Sequence, residues 1–190
     1  MMDELANVLS LLAAALDRLE IPYAVGGSIA SSVRGVVRAT EDIDVVARLA
    51  ARQADELASE LGPDWYADAD QIRSAISAGR AFNLVYLRTL HKVDVFPASG
   101  PFHLSQLERA TRATVGEQAE FPVASAEDIL LAKLQWYRDG GEVSDRQWSD
   151  ITGIVAVNPG LDRQYLEGWA ARLGVSRLLV RALADPGREP

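Results

Sequence analysis

The chain has no cysteine, which excludes disulfides, zinc–thiolate sites and thiol nucleophiles together. Histidine is almost as scarce, with only His91 and His103. A histidine-rich transition-metal centre is therefore disfavoured, and any metal held here is expected to be a hard cation on carboxylate oxygen. Lysine occurs only as Lys92 and Lys133, so arginine carries nearly all the positive charge. Positive charge is also in deficit: the formal net charge is −8, which argues against broad, phosphate-driven binding to DNA or RNA. A local basic face remains open, because Arg34, Arg38, Arg109 and Arg112 could cluster. Long apolar runs are missing too, and no window approaches the roughly 18 consecutive apolar residues of a membrane span.

The apolar stretch from Leu5 to Leu19 follows Asp3 and Glu4 rather than positive charge and lacks a small-residue cleavage site, unlike a signal peptide. Leu5, Val8, Leu9, Leu12, Leu16 and Leu19 fall at helical spacing and predict an amphipathic helix. The expectation is a cytoplasmic protein with no membrane partner. With 190 residues, nearly half of them apolar, one domain with a modest appendage can bury a core without staples.

What is present divides into two parts. Strands are expected at Ile21 to Val25, Ile43 to Ala47, Ala81 to Leu87 and Lys92 to Phe96, the last two joined by a tight turn around Arg88 to Leu90. Helices are expected at about 29–35, 50–61 and 68–79, the second stopped by the breaker pair Gly62-Pro63. From Ser125 the pattern changes: Ser125-Ala126-Glu127-Asp128 is a helix start with N-cap and early acid, and helices follow near 126–138, 144–157, 162–173 and 175–184. The expected fold class is α/β, a mixed sheet with flanking helices over 1–123. A helical part over 124–184 is expected to pack on it and close a cleft, and 185–190 reads as a disordered tail.

The chemistry concentrates in Gly26-Gly27-Ser28, thirteen intervening residues, then Asp42-Ile43-Asp44-Val45. Strand residues two apart face the same way, so Asp42 and Asp44 project together. Two carboxylates this close repel, and a divalent cation relieves the repulsion. Mg²⁺ takes one or two carboxylates plus waters and substrate phosphates, the composition of a nucleotide site. The glycines allow close backbone approach to a phosphate, and Ser28 can cap the following helix or donate its hydroxyl to a phosphate oxygen. Asp94 is a third acid in the middle of an apolar strand. If its strand lies beside that of Asp42 and Asp44, the three acids converge on one cluster suited to two-metal catalysis.

This combination resembles the polymerase-β nucleotidyltransferase superfamily. Arg38-Ala39-Thr40-Glu41-Asp42-Ile43-Asp44, Phe82-Asn83-Leu84-Val85 and Lys92-Val93-Asp94-Val95-Phe96 are similar to segments of small bacterial nucleotidyltransferases that include the AbiEii-like toxins. In that group a later helix carries a lysine, matched by Lys133, and a following helix an acid, matched by Asp150. The resemblance implies transfer of a nucleoside monophosphate from an NTP to an acceptor hydroxyl. Asp42, Asp44 and Asp94 would then be catalytic and bind two Mg²⁺ ions, with Gly27, Ser28, Lys133 and Asp150 binding the nucleotide. The acceptor is left open among tRNA, protein and small molecule, and a toxin would add an antitoxin partner. The alternative is a catalytically silent NTP-binding or partner-binding module, whose mark would be a missing acid.

Each residue also has a plainer reading. Asp42 and Asp44 could sit at a solvent-exposed strand end beside Arg38, and Gly26-Gly27-Ser28 could be an ordinary turn with an N-cap. A bridge from Asp94 to Lys92 is set aside on the ground that adjacent strand residues face opposite ways, which leaves Arg88 or Arg34. Lys133 could snorkel, and Asp150 could pair with Arg146 on its helix. His91 and His103 read as surface residues at loop edges. Trp65, Trp136, Trp148 and Trp169 read as core residues.

Overall fold

Leucines and valines repeating every three to four residues produce the first helix, α1 (Met2–Arg18), which buries Leu5, Val8, Leu9, Leu12 and Leu16 to 1% exposure or less. Each such burial stabilises by about 1.5–3 kcal/mol. Asp3 and Glu4 lie in its first turn and Arg18 in its last, the placement the helix dipole favours. A computed structural model describes residues 2–34, 42–117 and 119–184. Arg38, Ala39, Thr40 and Glu41 of the segment quoted above, the end of the helix expected at 29–35, and the tail 185–190 lie outside them.

The chain continues through β1 (Tyr23–Val25), α2 (Gly27–Val33) and β2 (Ile43–Ala47). A 3₁₀ turn at Ala51–Gln53 then leads into α3 (Ala54–Leu61), β3 (Trp65–Tyr66), α4 (Ala69–Ser77), β4 (Phe82–Tyr86) and β5 (His91–Pro97). Next come α5 (Pro101–Arg109), β6 (Thr111–Val115) and β7 (Ala119–Val123). The strands form one mixed sheet in the order β3-β4-β5-β2-β1-β7-β6. β2 runs parallel to β5 and β1 parallel to β7, while the other neighbours are antiparallel. Alternation along β2, β4 and β5 sends Ile43, Val45, Leu84, Val93 and Val95 into the core. α1 packs against α3, β6 and β7, and α4 against α3 and β4.

The segment between Pro97 and Val123 holds one helix and a hairpin that the sequence reading above leaves unassigned. α5 starts on Pro101 after the N-cap Gly100, where proline's missing N–H costs nothing. β6 is an edge strand with most of its side chains exposed.

Two compact units separate in the chain. The first is the sheet with α1 and its other helices, up to Ile29 and again to Ala124. The second joins the stretch from Ala30 in α2 to the helices after Ser125: α6 (Ala126–Asp139), α7 (Asp145–Val157), α8 (Arg163–Leu173) and α9 (Ser176–Ala184). Ser125, Ser144 and Asp162 cap α6, α7 and α8 with their side chains, each cap contributing about 1 kcal/mol. Leu130, Leu131, Leu134, Ile151, Ile154 and Leu166 are fully buried in this unit. Asp128 is buried as well, and its carboxylate accepts hydrogen bonds from Ser125 Oγ (2.7 Å) and Tyr165 Oη (2.5 Å).

Two expectations about aromatic and imidazole side chains are corrected. Trp65 is buried as expected, but Trp136 is 40% exposed. His103 lies within α5 rather than in a loop, and its burial pushes the imidazole below its usual pKa. Among the described residues no helix is long and apolar enough to cross a membrane.

Candidate active site

β2 and β5 lie side by side with Ile43 opposite Val93, Asp44 opposite Asp94 and Val45 opposite Val95. The core takes the odd-numbered members of these pairs, so the even-numbered ones occupy the other face. Asp44 and Asp94 are therefore in register on adjacent strands, and Asp42, immediately before β2, shares their parity. β4 adds Asn83, which pairs directly with Asp94. The convergence that the sequence made conditional on neighbouring strands rests on this parallel pairing.

The Gly26-Gly27 turn approaches the same face from β1. Gly26 N–H donates to the Asp44 carbonyl (2.8 Å), which continues the pairing of β1 with β2 by one residue. Gly27 then turns into α2 with φ of +56°. A Cβ on Gly27 would lie 1.7 Å from Asp44 Oδ2, closer than any non-bonded contact. Glycine is required here twice over, by the left-handed backbone and by the carboxylate packed against it. Ser28 stands within the first turn of α2 rather than before it.

Asp94 has a partner that the sequence reading set aside. Lys92 Nζ lies 2.9 Å from Asp94 Oδ2 and 3.9 Å from Asp42 Oδ1. The correction is one of parity: residues 92 and 94 are two apart on β5, so they share a face. Arg88, the alternative partner, instead pairs with Asp64 at 2.9 Å. The hydrogen bond to Asp94 is the main cause that raises the Lys92 ammonium above its ordinary pKa. Partial burial opposes it, and the charges of Asp94, Asp42 and Asp44 add to it. Lys92 is thus a positive charge within an acidic cluster, with its side chain 40% exposed beside Asp94 at 21%.

The donor set suits a hard divalent cation: oxygen ligands only, with two carboxylates in register and a glycine cradle against one of them. As the side chains stand, no three acidic or imidazole groups among the described residues are arranged to hold one metal ion; Asp94 meets Lys92 instead. Next to this face an open groove of about 710 Å³ is lined by Tyr66, Gln71, Arg80, Asn83 and Val85, among others. Asn83 belongs to both, so the groove borders the acids.

Lys133 and Asp150 meet each other in the helical unit. Lys133 Nζ donates to Asp150 Oδ2 at 3.1 Å, from α6 to α7, with side chains only 10% and 15% exposed. Removing one partner leaves the other charge shielded from water. Asp150→Ala is expected to cost about 3 kcal/mol, while Lys133→Met with Asp150→Leu should recover most of that loss. Urea unfolding of the single and double variants decides; an additive double variant would mean the two side chains do not act as a pair.

This architecture, a mixed sheet with flanking helices and further helices after it, is a nucleotidyltransferase fold. Among solved structures it is similar to the antibiotic-resistance factor ANT(2″)-Ia in solution, with TM-score 0.54, 15% identity, and 95% of this chain and 97% of that one covered. It is also similar to an antigenic nucleotidyltransferase-like protein from Paracoccidioides brasiliensis, with TM-score 0.54, 27% identity, and 96% and 93% covered. ANT(2″)-Ia in complex with adenylyl-2″-tobramycin is a further neighbour, with TM-score 0.51, 17% identity, and 92% and 99% covered. No protein-family model matches the chain, and no curated protein sequence does.

Proposed function

We propose that this protein transfers a nucleoside monophosphate from an NTP to an acceptor hydroxyl and releases pyrophosphate, with Mg²⁺ held at the acids of β2 and β5. The observation that carries the reading is Asp44 in register with Asp94, its carboxylate packed against a glycine that admits no side chain. The nucleotidyltransferase fold supports it. Bound at Asp42, Asp44 and Asp94, two Mg²⁺ ions would offset the charge on the attacking and leaving oxygens.

The chain's own groups have distinct tasks in this scheme. Asp42, Asp44 and Asp94 would hold the metal, and Asp94 would also help take the proton from the acceptor hydroxyl. Gly27 and Ser28 contact the β- and γ-phosphates. Lys133 neutralises charge building on the pyrophosphate, and Asp150 orients that lysine through the ion pair they make. The acceptor enters the groove beside Asn83, which is large enough for a sugar-sized group or a peptide side chain.

The net charge of −8 favours a small-molecule or protein acceptor over RNA. Adenylyl-2″-tobramycin, the ligand of one neighbour, is the kind of product the scheme describes. In a toxin-like setting the same chemistry would act on a cellular target and be held in check by an antitoxin.

Thermal unfolding with each NTP and Mg²⁺ tests the reading, in wild type and in Asp42→Asn/Asp44→Asn. A nucleotide at 100 times its Kd stabilises by about 2.7 kcal/mol, and each 1 kcal/mol moves Tm by about 2–4 °C at this size. A shift of roughly 5–10 °C that needs Mg²⁺ and disappears in the double variant is expected. No shift with any NTP would overturn the proposal in favour of structural acids.

A further inference from the structure

Lys92 lies on the acidic face, and the scheme above leaves it without a task. Its ammonium is hydrogen-bonded to Asp94 and lies within ion-pair range of Asp42. Those carboxylates flank Asp44, which is itself in register with Asp94. The face gathers three carboxylates along two neighbouring strands, an arrangement that a nearby cation stabilises. Lys92 supplies one from within the chain. It emerges from the same strand as Asp94, two residues earlier, so it is delivered to the cluster by the fold and not by a flexible loop.

We propose that Lys92 is a tethered counter-ion that occupies part of the divalent-cation site, so that metal binding must displace it from Asp94. The inference rests on reading these acids as a metal site. Two consequences follow from charge alone. A metal ion arriving at Asp94 competes with an ammonium already there, so Lys92 weakens divalent-cation affinity. With no metal bound, Lys92 offsets the mutual repulsion of the carboxylates and supports the fold. The residue is a positioning residue: it sets where the Asp94 carboxylate rests and at what metal concentration it is released.

Lys92→Met keeps the length and apolar stem of the side chain and removes its charge, while Lys92→Arg keeps the charge. Both side chains suit a site that is 40% exposed, so folding should survive in each. Titration calorimetry with Mn²⁺ alone is the measurement, accompanied by thermal unfolding in EDTA and in saturating Mn²⁺. Lys92→Met is expected to bind Mn²⁺ roughly tenfold more tightly than wild type, because no ammonium then competes with the metal for Asp94. Its Tm should fall below wild type in EDTA and recover with Mn²⁺, and Lys92→Arg should stay close to wild type in both.

A lysine that serves only to pack the strand, or only to touch nucleotide, would leave Mn²⁺ affinity unchanged or lowered in Lys92→Met, and either result overturns the inference while leaving the nucleotidyltransferase reading intact. Absence of Mn²⁺ binding in wild type and both variants would sink the two together.

Discussion

Asn in place of Asp44 is expected to lower nucleotide transfer by roughly 10³-fold and to leave the fold standing. Asp44 occupies the middle of the acidic face, with Gly27 packed against its carboxylate and Asp94 beside it on the next strand. An amide keeps the shape but loses the charge that holds a cation. The charge stabilisation a metal provides is worth several kcal/mol, and each 1.36 kcal/mol is a factor of ten in rate. Stability should hold or rise slightly, because one of several like charges is removed from a crowded face. Radiolabelled transfer with each of the four NTPs reads the activity, and circular dichroism on heating reads the fold. Transfer within tenfold of wild type would rule Asp44 out of the chemistry.

The second large effect belongs to Gly27→Ala. Two costs coincide there. The backbone φ of +56° lies in the left-handed region, where an L-residue costs about 1–2 kcal/mol. The added methyl would also land 1.7 Å from Asp44 Oδ2, so the carboxylate or the turn must move. The expected result is a loss of about 2 kcal/mol in urea unfolding together with a fall in transfer of at least about 10²-fold, since displacement of about 1 Å at a reacting group costs that much. Loss of stability with full activity would mean that Asp44 keeps its place without the glycine. An Ala at Gly174, which is left-handed at φ of 70° and ψ of 29° and whose Cβ would meet only the end of the Arg138 side chain, provides the control: the backbone penalty alone, with activity retained.

The acidic face was legible because its signals are local. The two-residue parity of Asp42 and Asp44, the apolar setting of Asp94 and the glycine pair need no knowledge of tertiary structure. The helices after Ser125 were equally readable, since Ser125 and Ser144 mark their own helix starts and apolar spacing marks their lengths. What escaped is non-local or weakly patterned. β6 exposes Thr111, Arg112 and Thr114 at the edge of the sheet, so burial leaves no alternation to find. β7 carries Pro122, opposite Arg112 on β6, and a proline argues against a strand inside a sheet. α5 did announce itself through Gly100-Pro101, a signal the sequence reading passed over. Lys92 was within reach of the same parity rule that united Asp42 with Asp44. Asn83 was not, because its place opposite Asp94 depends on the register of β4 with β5.

The parallel pairing of β2 with β5 carries a consequence for how the protein folds. Asp44 and Asp94 become neighbours only after α3, β3, α4 and β4 have been looped out between them, and closing so long a loop costs conformational entropy before any contact repays it. No fragment containing only one of the two strands can assemble the acid pair. The docking of β5 that adds Asp94 to the face of Asp42 and Asp44 brings Lys92 in with it. Amide protons of β2 and β5 should then exchange only through the largest opening of the sheet, and a ligand at the acids would slow that exchange across both strands at once.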